Sequence, residues 1–473
     1  MKRSVRFLLA ASTAMLLVPA VAGAAPRMHL GFHDDPNFRY EERRSLMLDQ
    51  ARAANTTIVR TLVTWADVAP TRPANASNPF DRAYRFNDLD ELVRNTQARD
   101  IEVLITIWGT PKWANGNKSP NFLPTRMTDL TAFSRAVASR YSGRFAGFPF
   151  VRFYSIWNES NLQLFLAPQF DAAGNSVGPR NYARLAAAAY TGIKAGNPRA
   201  KVAIGSTSSA GRDKVLPGKS ETHSPARFAR LVAAANPRLK FDAWAQHPYP
   251  VPVNLKPTQL VRYPNVTLKS FPRFTRDLDT WFKRKNVRIW ITEYGHEVRE
   301  DGEPRGVSRA TQAAYAAQAL ALARSDPRTD MFIWFVFRDH ATSEWQSGLR
   351  TRTGAPKPSL ARFTSFARTV DARNAMFSLR GGVANPTVPV ALRQYAAGSK
   401  PGERVGFNVK VYEKGKLVAD AQPASPLGSD ATAKVRLLGF RPVKGHTYSV
   451  RVTANIFSGG GVQLVRTLTV IGV

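Results

Sequence analysis

Cysteine is absent from the 473 residues. Its absence removes disulfides, thiol nucleophiles and thiolate metal sites together. Metal-ligand spacing is missing too. No His-x-His follows the first apolar run and no His-Glu-x-x-His occurs, so His33, Asp34, Asp35, His247 and His296 do not read as a metal set. No Gly-rich phosphate loop follows any strand-like segment, which argues against a nucleotide-binding doubly wound sheet. No cofactor and no metal are expected. Acidic residues are scarce, 34 Asp and Glu against 67 Lys and Arg, for a formal net charge of +33. Such a charge favours anionic partners, whether an anionic cell-wall polymer, an acidic exopolysaccharide, membrane headgroups or nucleic acid. The basic residues are nevertheless scattered, without a basic tail or clusters interleaved with aromatics. A solvated basic surface is the favoured reading, and nucleic acid is not an expected partner.

Long apolar runs are also lacking, except at the start. Lys2, Arg3 and Arg6 precede an apolar stretch from Phe7 to Val21, and Ala22-Gly23-Ala24 supplies a small-x-small cleavage pattern. Residues 1–25 therefore read as a signal peptide cleaved near Ala24, and the mature protein as secreted, extracellular or bound to a cell wall. The stretch is short for an uncleaved membrane anchor.

What the chain does contain is a repeated alternation of strand and helix. Apolar runs at Met28 to Phe32, Thr57 to Val63, Ile101 to Trp108, Val151 to Trp157, Lys201 to Gly205, Phe241 to Gln246, Val287 to Thr292 and Met331 to Phe337 read as doubly buried parallel strands. Helical periodicity fills segments such as Glu41 to Ala54, Asp88 to Arg99, Thr128 to Tyr141, Asn181 to Lys194, Thr311 to Arg324 and Ser359 to Val370. This pattern predicts a (β/α)8 TIM barrel, an α/β fold, over residues 26–370. Residues 371–473 change texture to short alternating strands between Gly, Pro, Ser and Asp turns, which predicts a small antiparallel β-sandwich of immunoglobulin-like texture. Packing or spacing is its favoured role over carbohydrate binding.

Barrel chemistry gathers where strands end. Strand four ends in Tyr154-Ser-Ile-Trp-Asn-Glu-Ser-Asn-Leu162 and strand seven in Ile289-Trp-Ile-Thr-Glu-Tyr-Gly-His296, which puts Glu159 and Glu293 at the rim. Either alone reads as a salt-bridged rim glutamate. Together they match the two carboxylates of glycosidic cleavage, one protonating the leaving oxygen and the other attacking the anomeric carbon. Trp65, Trp108, Trp113, Trp157 and Trp334 at or past strand ends fit a sugar-stacking cleft.

The segments Trp157-Asn-Glu-Ser-Asn-Leu162 and Ile291-Thr-Glu-Tyr-Gly295 resemble clan A of the glycoside hydrolases. With Gln246-His-Pro-Tyr-Pro250 and Gly109-Thr-Pro-Lys-Trp113, the wider match over about residues 28–370 is similar to glycoside hydrolase family 39 and related cellulase-like barrels. The resemblance implies a retaining hydrolase of O-glycosyl compounds with Glu159 as acid/base and Glu293 as nucleophile. It also implies that Arg60 bonds the nucleophile, that Asn158 bonds the sugar 2-hydroxyl, that His247 and Tyr249 contact the nucleophile or sugar, and that Trp334 stacks beneath the reacting ring. Ser160 departs from the pattern, since relatives usually carry Pro there. Asp339, Glu344 and Trp345 are candidates for leaving-group subsites. The alternative is a non-catalytic cell-surface carbohydrate-binding protein on the same barrel. It would be marked by a missing carboxylate, and both are present.

Overall fold

The structure is a computed structural model describing residues 27–145, 147–341, 345–373, 376–391, 402, 404–428, 432–456 and 462–473. The expected leader and Glu344 lie outside these residues. Among the described residues, no helix is long and apolar enough to cross a membrane.

Eight parallel strands close a barrel in chain order. They are β1 (His29–His33), β2 (Ile58–Thr64), β3 (Glu102–Trp108), β4 (Phe153–Ile156), β5 (Lys201–Thr207), β6 (Ala243–Gln246), β7 (Arg288–Ile291) and β8 (Thr329–Phe335). Eight helices alternate with them: α1 (Arg44–Ala53), α2 (Asn87–Ala98), α3 (Met127–Arg140), α4 (Gly178–Gly196), α5 (Pro225–Ala235), α6 (Phe271–Trp281), α7 (Arg309–Ser325) and α8 (Pro358–Val370). Each expected strand is present, with ends displaced by a residue or two.

Period-two alternation divides the apolar side chains between two cores. Ile58, Leu104, Phe153, Ala203, Ala243, Ala245, Trp290, Met331 and Ile333 fill the barrel interior. There the alanines of β5 and β6 leave room for Phe153 and Trp290, which meet edge to face at 5.4 Å. The alternate residues, among them Phe32, Val59, Val103, Tyr154, Ile289 and Trp334, face the helices in a larger core. Gly31 is required where β1 crosses β2, because a Cβ there would lie 1.5 Å from the Ile58 carbonyl oxygen.

The C-terminal strands pack as two sheets. β9 (Met376–Leu379), β11 (Arg404–Glu413), β12 (Lys416–Ala421), β15 (Thr447–Ile456) and β16 (Val462–Gly472) form the larger, in the order β12-β11-β15-β16-β9, with β13 (Ala424–Pro426) paired to β11. β10 (Thr387–Ala391) pairs with β14 (Thr432–Arg436) in the smaller. Val388, Val390 and Val435 from one sheet and Phe407, Val409, Val450, Val452 and Leu468 from the other make a core separate from the barrel's. The sandwich is not purely antiparallel, since β9 joins β16 in parallel.

The two units are clamped at the floor of the barrel, opposite the strand C-termini. Arg466 of β16 donates from both terminal nitrogens to the Asp100 carboxylate, at 2.6 and 2.7 Å, in the turn before β3. Both residues are 3% exposed. Arg373, beside them, bonds Asp371 and the Asn55 side chain. A buried pair broken on one side strands the other charge, at about 3–5 kcal/mol. Asp100→Ala should therefore lower unfolding stability by about that amount in urea titration while leaving kcat unchanged, because the mouth lies at the other end. An unaltered midpoint would show that the clamp is not structural.

Candidate active site

Strand parity decides which side chains reach the mouth. His33 on β1, Arg60 on β2, Thr106 and Trp108 on β3 and Phe335 on β8 share the register of the interior residues, and Phe335 pairs with His33 across β1 and β8. Asn158 and Glu159 follow β4, His247 and Tyr249 follow β6, and Glu293 follows β7.

At the end of β4 the backbone bends sharply. Trp157 and Glu159 adopt φ of 71° and 33°, in the left-handed region that disfavours side chains. Such residues cost on the order of 1–3 kcal/mol each and persist only where the surroundings over-determine them. Here they do. The Trp157 amide donates to the Ile107 carbonyl at 2.8 Å and its indole N–H to the Phe165 carbonyl at 2.6 Å. The Ser160 hydroxyl donates to the Gly205 carbonyl at 2.8 Å. Asn161 accepts from the Ser208 amide and donates to the His223 carbonyl, both at 2.8 Å. Ser160, the departure from the clan pattern, is thus an anchor of the loop that presents Glu159.

Glu293 is 8% exposed and held on both oxygens. Arg60, itself 1% exposed, donates one terminal nitrogen to Oε1. The His33 Nδ1 lies 3.5 Å from the same oxygen. On Oε2, the Tyr249 hydroxyl donates at 3.2 Å and the His247 Nδ1 stands 3.6 Å away. Burial alone would raise the Glu293 pKa; the charges of His247 and Arg60 outweigh it and hold the carboxyl well below the usual carboxylate range. Burial, reinforced by Glu293, pushes the Tyr249 phenol well above its ordinary value, which keeps it a donor.

Glu159 faces Glu293 across His247, whose Nδ1 is 3.1 Å from Glu159 Oε1. Ligand atoms of Glu159, His247 and Glu293 all fall within 4.8 Å of one another. Three such groups bracket a cation-sized space, but Arg60 already supplies positive charge to Glu293, and the cluster reads as paired carboxylates with a buried imidazole between them. Arg60 also donates its other terminal nitrogen to the Asn158 amide oxygen at 2.7 Å and its Nε to the Thr106 hydroxyl at 2.9 Å.

The structure thus brings together Arg60, Asn158, Glu159, His247, Tyr249 and Glu293. Trp108 stands at the mouth, half-buried, its indole N–H directed to the Phe165 carbonyl at 3.3 Å. Trp334 does not join them. It is fully buried between β8 and the helices, packs on Tyr294 and donates to the Ser347 carbonyl at 2.8 Å. Alternation is the reason: Ile333 and Phe335 point inward, so Trp334 points outward. Trp65 and Trp157 are likewise buried, and Trp113 lies beneath the Arg72 guanidinium at 4.3 Å. The mouth aromatics are instead Phe335, 5.2 Å from the His33 ring, and half-buried Trp345, 5.4 Å from Tyr249. Of the residues proposed for leaving-group subsites, Trp345 is at the mouth. Asp339 is not, because it is buried against Lys357 at 2.6 Å and closes its own loop by accepting from the Gly348 amide. His33, which from sequence reads as a rim residue binding sugar hydroxyls or the barrel lip, touches both Arg60 and Glu293.

Comparison with known proteins agrees with the barrel fold. Among solved structures of similar fold is a family 39 glycoside hydrolase from Bacteroides cellulosilyticus WH2, 17% identical, with a TM-score of 0.53 over 88% of this chain and 80% of that one. Another is GH5_18 from Streptomyces cattleya in complex with GlcNAc, 15% identical, with a TM-score of 0.54 over 75% of this chain and 85% of that one. No curated protein matches the sequence. The family described as Cellulase (glycosyl hydrolase family 5) matches residues 33–336, more than half of the chain. The chain therefore belongs to glycoside hydrolase family 5, within the clan A barrels that its motifs resemble, and is a retaining glycoside hydrolase.

Proposed function

We propose that this hydrolase is secreted and cleaves O-glycosidic bonds of an oligo- or polysaccharide, with Glu159 as acid/base and Glu293 as nucleophile. The observation that carries the assignment is the closeness of the two carboxylates, with one oxygen of each within 4.8 Å of the other. Retention needs carboxyl groups roughly 5–5.5 Å apart, whereas inversion needs roughly 6.5–9.5 Å to admit a water.

The division of labour follows from the partners. Glu293 is the carboxylate bound to a guanidinium, and the charges of His247 and Arg60 keep it ionised, aimed and ready to attack the anomeric carbon. Glu159 has no Lys or Arg partner among the described contacts, only His247. It donates its proton to the leaving oxygen, and its carboxylate then takes a proton from the water that hydrolyses the glycosyl-enzyme. Asn158 has committed its carbonyl oxygen to Arg60, which leaves its NH2 to bond the sugar 2-hydroxyl. Phe335, Trp345 and Trp108 supply apolar faces for the sugar rings. The leader at residues 1–25 supports export, and the floor-side clamp of the sandwich supports a scaffolding role for residues 371–473.

A second reading, that the preferred polymer is anionic, rests on the loops around the mouth. Residues 109–126 carry Lys112, Lys118 and Arg126, and residues 247–267 carry Lys256 and Arg262; all five are exposed, and neither loop contains an acid. A positive rim raises the local concentration of polyanions.

Glu159→Ala should slow cleavage most for substrates with poor leaving groups, with azide restoring turnover on activated aryl glycosides. Equal losses across leaving groups would remove Glu159 from the acid role. For an anionic glycan, the apparent KM should rise steeply with salt, since screening shortens from about 10 Å at ~0.1 M to about 3 Å at ~1 M. A salt-independent KM would leave the basic rim without a role in substrate capture.

A further inference from the structure

We propose that His33, braced by Asp35, is a proton-sensitive positioning residue for Glu293. When neutral it accepts a hydrogen bond from Arg60 and leaves the carboxylate free to attack; when protonated it donates to the carboxylate and suppresses attack. The proposal rests on the reading of Glu293 as nucleophile.

The geometry is that of a two-way contact. Nδ1 of His33 lies 3.0 Å from an Arg60 terminal nitrogen and 3.5 Å from Glu293 Oε1. A guanidinium only donates. Its neighbour Nδ1 is therefore a lone pair when the ring is neutral, and the ring proton sits on Nε2. That nitrogen faces Asp35 Oδ2 at 3.5 Å. Asp35 is itself fixed, because Oδ2 accepts the Leu62 amide at 2.9 Å. The ring is 8% exposed and packs at 5.2 Å on Phe335, so it has little freedom to turn away. A second proton has one place to go: onto Nδ1, where it opposes Arg60 and points at Glu293.

The charges around the ring are Arg60 from β2, Glu293 from the end of β7 and Asp35 on its own loop, with Arg39 behind Asp35; β8 contributes only the Phe335 ring. Burial and Arg60 both favour the neutral ring, yet the bonds to Asp35 and Glu293 outweigh them and raise the His33 pKa above its ordinary value. The proton is thus held below that raised pKa and lost above it. With it bound, Glu293 carries a further cationic donor beside Arg60, which deepens its ground state and weakens its attack. Activity should rise as His33 deprotonates.

The test is the pH dependence of kcat/KM on an activated aryl glycoside, comparing wild type with His33→Gln and Asp35→Asn. The Gln side chain can still accept from Arg60 but cannot titrate. The wild-type acid limb should lie in the imidazole range. In His33→Gln it should move down by roughly two units, towards carboxylate values. In Asp35→Asn, which removes a charge that helps hold the proton, it should move down by less. A side chain that merely supports the fold would lower the plateau and leave the limb in place. An acid limb unmoved by both substitutions would overturn the proposal, as would a wild-type limb already in the carboxylate range. Should His33→Gln fail to fold, the Asp35→Asn limb decides alone. Azide rescue of Glu293→Gly, giving a glycosyl azide of opposite configuration, separates the two readings. Without rescue the nucleophile assignment and this proposal fall together; with rescue and an unmoved limb, only the role of His33 falls.

Discussion

The Arg60 guanidinium, enclosed beneath the barrel mouth, donates through Nε to Thr106, through one terminal nitrogen to His33 and Glu293, and through the other to Asn158. Leaving a buried cation unpaired costs several kcal/mol, so acceptors and cation hold one another in place. One side chain on β2 thereby sets the position of the loop after β4, the carboxylate after β7 and the imidazole on β1. The carboxylate receives its orientation from the same contact, and its low pKa from His247 and Arg60 together. Glu159, across the cleft, is left to His247. Of two glutamates close in space, Glu293 alone is bound by the guanidinium, and the charges of His247 and Arg60 hold its carboxyl well below the usual range.

That arrangement depends on the barrel being stiff at the right points. The left-handed turns at Trp157 and Glu159 are held by bonds to β3, to the Gly205 carbonyl at β5 and to the 208–223 segment. Small residues let neighbouring elements close up. Gly31 lets β1 lie against β2, and Gly205, at φ +95°, stands where a Cβ would strike the Trp244 ring at 2.5 Å. Positioning is therefore distributed, and the strain at Glu159 is carried by several ordinary hydrogen bonds around it.

Much of this was legible in the residues because parallel barrel strands are buried on both faces and stand out as apolar runs. All eight were recovered, and the two glutamates followed from strand ends. Other features were hidden for physical reasons. The stacking role that the clan resemblance implies for Trp334 conflicts with strand parity: counting from Ile333 turns Trp334 outward and brings Phe335 in. The helices Pro225–Ala235 and Phe271–Trp281 were not singled out, nor were the short or edge strands β9, β12 and β13, where packing rather than periodicity defines the element. His33 and Asp35 carry no motif. Only closure of the barrel brings His33 to Arg60 and to Glu293, 27 and 260 residues away in the chain. Ser160 looked like a defect in the pattern and proves to be an anchor.

The sandwich sits at the far end of the barrel, joined through Asp100 and Arg466, so bond cleavage is a matter for the mouth alone. The central claim is that Glu293 attacks the sugar directly and is itself glycosylated. Digesting the enzyme after incubation with a fluorinated glycoside that forms the intermediate faster than water releases it, and sequencing the labelled peptide by mass spectrometry, tests this most directly. A covalent sugar on Glu293 is the predicted result. No adduct, or a sugar on any other residue, would contradict the account.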